Sequence, residues 1–192
     1  LPETGAEFTV QISINKDIAT LSIDTTGSRE GLFKRGYRTK HTDAPIKETM
    51  AAALVLLSYW NKDRILYDPL CGSGTIAIEA ALIGRNIAPG LNRTFVSQDW
   101  PIVKEEYWKK IKVEARKKID FESEIKIYAS DISQKSIKIA EENAIEAGVD
   151  DCIEFFVKDV NKIEKPPCDY GVLITNPPYG DRIGKLEDIV KI

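Results

Sequence analysis

The chain has 192 residues, 43% of them hydrophobic and 30% charged, and no apolar run approaches the roughly 20 residues that a membrane span needs. Its 27 Lys and Arg stand against 30 Asp and Glu, a net charge of −3, so it is not the uniformly basic body of a protein that coats nucleic acid. Cys71, Cys152 and Cys168 form no CxxC pair, which fits a reducing, cytoplasmic compartment better than a disulfide framework.

Leu1, Pro2, Glu3, Thr4 and Gly5 spell a sortase-type pentapeptide, but no hydrophobic tail and basic stop follow it, and that reading is rejected. Residues 8–14 and 19–23 alternate apolar and polar around a turn at 15–17, the pattern of a β-hairpin. Next come Arg29, Lys34, Arg35, Arg38 and Lys40 against a single Glu30, with Phe33 and Tyr37 interleaved. Such a segment can grip phosphates and stack on bases; it reads equally as a solvated loop between the hairpin and a helix at 46–59.

Residues 65–67 read as a short buried strand, followed by Asp68, Pro69, Leu70, Cys71, Gly72, Ser73, Gly74 and Thr75. A helix is predicted over 75–83, with Gly84 as a left-handed C-terminal cap. Glycines at 72 and 74 let a ligand approach the backbone, and free N–H groups at the helix start favour a carboxylate or phosphate. The Lys that a phosphate-binding P-loop needs after its last glycine is missing. Gly72, Gly74 and Ala77 fit the loose dinucleotide pattern, but NAD binding places an acid about 20 residues beyond the turn, whereas Asp131 comes much later.

Residues 85–124 form a longer excursion than a minimal βαβ unit requires, with Trp100 and Trp108 expected in the core. Lys109, Lys110, Lys112, Arg116, Lys117 and Lys118 fall on a predicted amphipathic helix and read as a solvated face, with Tyr107, Ile111 and Ala115 turned inward. A strand at 125–129 leads to Asp131. A helix at 133–147, N-capped by Ser133, ends at Gly148. Strands at 153–157 and 170–175 lead to Asp159 and Asn176. Strands and helices alternate, so the expected fold is α/β with a mostly parallel sheet, and each strand delivers a polar residue to the carboxyl edge where such sheets bind ligands. There Asp131 can take two ribose hydroxyls and Asp159 an adenine edge, although a single Asp is also a common turn or helix cap.

Asn176, Pro177, Pro178 and Tyr179 suit methyl transfer to a planar amine. The lone pair of such an amine is delocalised into its ring, and two acceptors on its N–H groups draw it back. The Asn176 side chain and the Pro177 carbonyl can both accept, the prolines hold them aimed, and Tyr179 offers a face for stacking. A lone His41 and scattered cysteines give no ligand spacing, so no metal is expected.

These residues resemble the S-adenosylmethionine-dependent methyltransferases with an Asn-Pro-Pro-Tyr motif, and within them the large-subunit ribosomal RNA guanine-N2 methyltransferases that carry a THUMP domain. The likeness rests on residues 34–37, 44–48, 68–81, 86–90, 130–132 and 176–180. It implies a Rossmann-like methyltransferase fold with S-adenosyl-L-methionine as cofactor. Asp68, Gly72, Ser73, Gly74 and Thr75 would hold its methionine part, with Cys71 in the same loop. Asp131 would hold the ribose beside Ile132, and Asp159 the adenine. The 44–48 segment, including Lys47 and Glu48, would close over the far side. Asn176, Pro177, Pro178 and Tyr179 would grip a flipped guanine of ribosomal RNA, and Arg29, Lys34, Arg35, Tyr37, Arg38 and Lys40 would meet the RNA.

The Asn-Pro-Pro-Tyr motif is shared with enzymes that methylate adenine in DNA or glutamine in protein, and a non-catalytic RNA-binding fragment is a further alternative. The reading divides the chain into an N-terminal hairpin and helix (1–60) and the cofactor half of a methyltransferase core (61–192). Three further sheet strands are expected beyond Ile192 and the THUMP domain before Leu1. An isolated fragment of this kind is expected to be less stable than the intact domain.

Overall fold

The fold opens with a freestanding hairpin, β1 (Thr9–Asn15) and β2 (Ile18–Asp24), whose two-residue turn puts Lys16 and Asp17 at φ 50° and 60°. Positive φ at both central residues matches the turn's twist to that of the strands. The structure is a computed structural model that describes residues 5–27, 31–38, 40, 45–164 and 170–177. Pairing sets Val10, Ile12 and Ile14 opposite Ile23, Leu21 and Ala19, so one face of the ribbon is apolar throughout. That face is open, with Ile12 68% and Leu21 71% exposed. Among the described residues the hairpin is fastened only at its base. Trp100 Nε1 donates to the Glu7 carbonyl (2.8 Å), Phe8 stacks on Trp100 at 4.9 Å, and Ser97 Oγ donates to the Thr25 carbonyl (2.9 Å).

Helix α1 (Glu48–Leu57) starts two residues later than the sequence suggests. Lys47 is extended (φ −67°, ψ 140°), and the Ile46 carbonyl accepts from Arg38. The short strand β3 (Ile65–Asp68) then feeds α2 (Thr75–Gly84). Gly84 does not cap α2 in a left-handed conformation, as expected, but lies within the helix, and the left-handed residue is Asn86 at φ 55°. Gly84 is needed for space: a Cβ there would come within 2.8 Å of Ile125 and 3.1 Å of Trp60.

Across the excursion, α3 (Glu105–Lys117) departs from the expected inward face, since it has no buried residue and leaves Tyr107 52% and Ile111 58% exposed. Ile111 and Ala115 instead line a groove whose other wall carries Leu82, Ile83 and Ile87. Packing here is carried by Trp100, which is buried, and by Trp108 stacked on Phe95 at 5.4 Å.

Strand β4 (Ile127–Asp131) leads to α4 (Gln134–Ala147), which Ser133 caps by accepting from Ser136 N, with Gly148 closing it at φ 69°. Strands β5 (Ile153–Val157) and β6 (Gly171–Leu173) complete a four-stranded sheet in the order β5-β4-β3-β6, every pair parallel. Leu66, Ile76, Ile78, Ile127, Ala129 and Val149 are at most 2% exposed and form its core. Each such Leu, Ile or Val contributes roughly 1.5–3 kcal/mol by leaving water. Because α2 and α4 carry the chain from β3 outward to β5 and the return crosses to the other side of β3, the order reverses beside β3. That reversal opens the crevice in which α/β sheets bind ligands. Among the described residues no helix is long and apolar enough to cross a membrane.

Candidate functional site at the carboxyl edge of the sheet

The fold brings Asp68, Asp131, Asp159 and Asn176, which lie far apart in sequence, to one edge of the sheet. Asp68 ends β3 at 1% exposure, and one of its carboxylate oxygens accepts from Leu70 N (3.3 Å). Burial pushes the Asp68 carboxyl up to about 7, and the nearby Asp131 carboxylate adds to the rise. Thr175 lies close enough to Asp68 to offset part of this, yet its buried Oγ1 makes no hydrogen bond of good geometry. That orphaned hydroxyl, two residues beyond β6 and next to Asn176, escaped the sequence reading. A lone polar residue in an apolar run was its signal.

The glycine loop is held by three partners outside it and by one bond of its own. Gly72 N donates to one Asp131 oxygen (3.1 Å), while the other accepts from Ser133 N (2.8 Å). Cys71 N donates to the Ser130 carbonyl (2.8 Å), Gly74 N to the Cys71 carbonyl (2.8 Å), and Asn143 Nδ2 to the Ser73 carbonyl (3.1 Å). Gly74 has φ 81°, and a Cβ there would lie 2.9 Å from that of Ala140, so helix and loop approach as closely as only glycine allows. Ser73 and Thr75 are each 3% exposed, their side chains packed inside the loop. The Cys71 thiol is buried, and desolvation followed by the Asp68 and Asp131 charges pushes it far up, leaving no nucleophile. Ile132 is 70% exposed, an apolar shelf beside Asp131. Asp159 caps a short 3-10 turn by accepting from Asn161 N (2.9 Å).

Asn176 is half-buried and Pro177 exposed, in line behind β6, whose ladder with β3 is prolonged by Ile174 N donating to the Tyr67 carbonyl (3.0 Å). The positions of Pro178 and Tyr179 in the expected motif lie outside the described residues, as does Arg29. Asn143, fully buried in α4, also went unread. Its amide spans the Lys40 carbonyl and the Ser73 carbonyl, 3.1 Å to each, joining the basic segment to the glycine loop.

The basic segment is arranged differently from the RNA-facing set that the sequence suggests. Tyr37 is 4% exposed and cannot present a ring to a base; its hydroxyl donates to Glu79 (2.9 Å), and burial with the Glu79 charge raises its pKa. Arg35 pairs with the same Glu79 (3.4 Å), whose own pKa is raised by burial and partly restored by Arg35. Arg38 pairs with Glu48 (2.9 Å), a carboxylate only 2% exposed. Lys47, exposed, sits over the Phe33 ring at 5.3 Å. Lys40 is exposed and bridges to Glu142 (2.5 Å), while Lys34 is exposed on the rim of a cavity that Arg38 and Glu48 also line.

A parallel sheet with an acidic residue behind each of three strands, a glycine loop clamped to the second acid and Asn176 at the reversal point defines a Rossmann-like fold of the methyltransferase type. Over residues 35–192 the chain matches the family described as RMKL-like, methyltransferase domain, and it belongs to that family. It is 50% identical over 189 residues to YpsC of Bacillus subtilis (strain 168), provisionally named an RNA methyltransferase, and covers 98% of this chain and 48% of that protein. It is 43% identical over 182 residues to ribosomal RNA large subunit methyltransferase K/L of Psychromonas ingrahamii, covering 92% of this chain and 24% of that protein. Among solved structures, SMU.472, provisionally named a methyltransferase and complexed with S-adenosylhomocysteine, superposes with a TM-score of 0.88 at 45% identity, over 98% of this chain and 48% of that one. The chain thus spans about half the length of YpsC and a quarter of the K/L enzyme.

Proposed function

We propose that the chain is the cofactor-binding and catalytic part of an S-adenosylmethionine-dependent RNA methyltransferase that acts on the exocyclic N2 of a guanine in large-subunit ribosomal RNA. The observation that carries this reading is the clamp of Gly72 on Asp131 beside Asp68 and Asn176, at the point where the sheet order reverses. The residues present fit the cofactor. Asp131 is fixed by two backbone donors, each of its oxygens keeping a lone pair for a ribose hydroxyl, Gly74 lets the loop pack directly against Ala140 of α4, and the buried Thr175 hydroxyl makes no hydrogen bond.

When bound, the cofactor supplies an electrophilic methyl group. The chain's own residues do the rest: Asp68 holds a cationic group, Ile132 covers an aromatic base edge, and Asn176 with the Pro177 carbonyl accepts from the two N–H groups of the target amine. Acceptors aimed at an amine that gains positive charge as it is methylated stabilise the transition state more than the ground state. Holding amine and methyl in line supplies most of the remaining rate gain. The nucleophile is the substrate amine itself, in keeping with a Cys71 thiol that stays protonated. The reading places the protein in the cytoplasm with ribosomal RNA.

Two measurements test it. Calorimetry should find saturable S-adenosylhomocysteine binding that Asp131→Ala abolishes. Nucleoside analysis of ribosomal RNA methylated by the protein should find N2-methylguanosine. Methyladenosine as the product would overturn the guanine assignment, and binding unaffected by Asp131→Ala would overturn the site.

A further inference from the structure

Away from the sheet edge, a cavity of about 640 Å³ opens between the 33–38 segment, the 91–94 loop and α3. Lys34, Arg38, Arg93 and Lys112 line it against one carboxylate, Glu48, on a chain whose net charge is negative. Two basic clusters that look unrelated in sequence, one before α1 and one on α3, therefore share a single concavity. The walls are built rather than incidental. Arg93 is 6% exposed and donates to the Gly31 and Lys34 carbonyls (2.8 and 3.1 Å), pinning the segment that carries Lys34. Gly36 has φ 97°, and a Cβ there would meet the Asn92 carbonyl at 2.9 Å, so the two loops touch at the floor. Lys112 Nζ reaches the Arg93 carbonyl (3.5 Å) from the helix side. Phe33 supplies an aromatic wall.

Cations lining a cavity larger than one phosphate, with an aromatic ring beside them, match the repeating phosphate and base of a nucleic-acid strand. We propose that this cavity seats consecutive phosphates of a single-stranded RNA, with Lys34 and Lys112 as the outer contacts and Arg38 as the inner one. The inference rests on the RNA reading above and gives it a second contact surface, apart from the amine-gripping residues. Exposed Arg116, one turn beyond Lys112 on the same side of α3, continues the positive face past the cavity, as a polymer would require and a small anion would not. Glu48 and the Ile46 carbonyl fix the Arg38 guanidinium from two sides, and with one carboxylate against four cations the lining stays positive.

The test is fluorescence anisotropy with a labelled single-stranded RNA oligomer, on wild type, Lys112→Glu and a control, Lys110→Glu, which lies on the same helix outside the cavity and is 75% exposed. Lys112→Glu should weaken binding roughly tenfold at low salt and flatten the slope of log K against log salt by about 0.7 per lost phosphate contact. Lys110→Glu should change affinity less than about twofold. Equal losses from the two variants would mean diffuse attraction and overturn the seat. Guanosine monophosphate binding as tightly as the oligomer would assign a small-anion pocket and overturn it too. S-adenosylhomocysteine calorimetry on the same samples separates the two readings. Cofactor binding without RNA binding removes this proposal alone, whereas RNA binding that depends on Lys112 without cofactor binding removes the methyltransferase reading and leaves the cavity.

Discussion

Asp68 is a carboxylic acid held where water cannot reach it, and its raised pKa has two measurable effects. Because the folded value of about 7 exceeds the unfolded one, stability from this group is fully present below about pH 4 and is lost as pH rises through 7. The loss is on the order of 4 kcal/mol, and Asp68→Asn should remove that slope from urea unfolding compared at pH 5 and pH 8. A cationic ligand group favours the ionised form, so S-adenosylhomocysteine affinity should rise roughly tenfold from pH 6 to pH 8 in wild type and stay flat in Asp68→Asn. A second buried acid behaves differently, since Glu79 is already matched by Arg35 and Tyr37. Glu79→Ala strands an arginine with side-chain exposure of 12% and should cost about 3–5 kcal/mol. Glu105→Ala, which breaks a fully exposed surface pair with Lys109, should leave the midpoint of the same denaturation series unchanged.

At the scale of elements, two glycines that look alike in sequence do opposite things. Gly148 closes α4 at φ 69° with open space around it, so Gly148→Ala meets only backbone strain, about 1 kcal/mol. Gly84→Ala gains helix propensity of about 1 kcal/mol but drives a methyl into Ile125 and Trp60, so it should lower the melting temperature more than Gly148→Ala. Local patterns explain what could be read in advance. The apolar runs of β3 to β5, the Ser133 cap and the glycine loop all follow from residues within a few positions of each other. The inward turn of Arg35, Tyr37 and Arg38 could not be read, because the acid that takes Arg35 lies 44 residues away. Nor could the open face of α3 or the part played by Arg93, which depend on which loops meet across the fold. At the site, the acidic positions were legible as strand ends and Thr175 carried the signal of a polar residue in an apolar run, whereas the Asn143 bridge joins segments 103 and 70 residues away and depends on the fold.

For the molecule as a whole, the hairpin is the outlying part: a ribbon with one apolar face, anchored at its base. Such a face invites self-association without adding to the core. Replacing Ile12 and Leu21 together by Thr should therefore leave the melting temperature within about 2 °C while lowering the scattering of concentrated samples. A large drop in stability would mean that the face is packed against something in solution.

The position of β6 bears on how the molecule assembles in time. It joins β3 across roughly a hundred residues of chain by a three-residue ladder, and closing so long a loop delays the contacts that reward it. Strand β4 pairs with β5 across 26 residues (Ile127 with Ile153) and with β3 across 61 (Leu66 with Ile127), so these three can pair first. Pulse-labelled hydrogen exchange during refolding should accordingly protect the Leu66 amide, which donates to the Lys126 carbonyl on the β4 side, before that of Ile174, so that Asn176 reaches its place last, beside a glycine loop already in position.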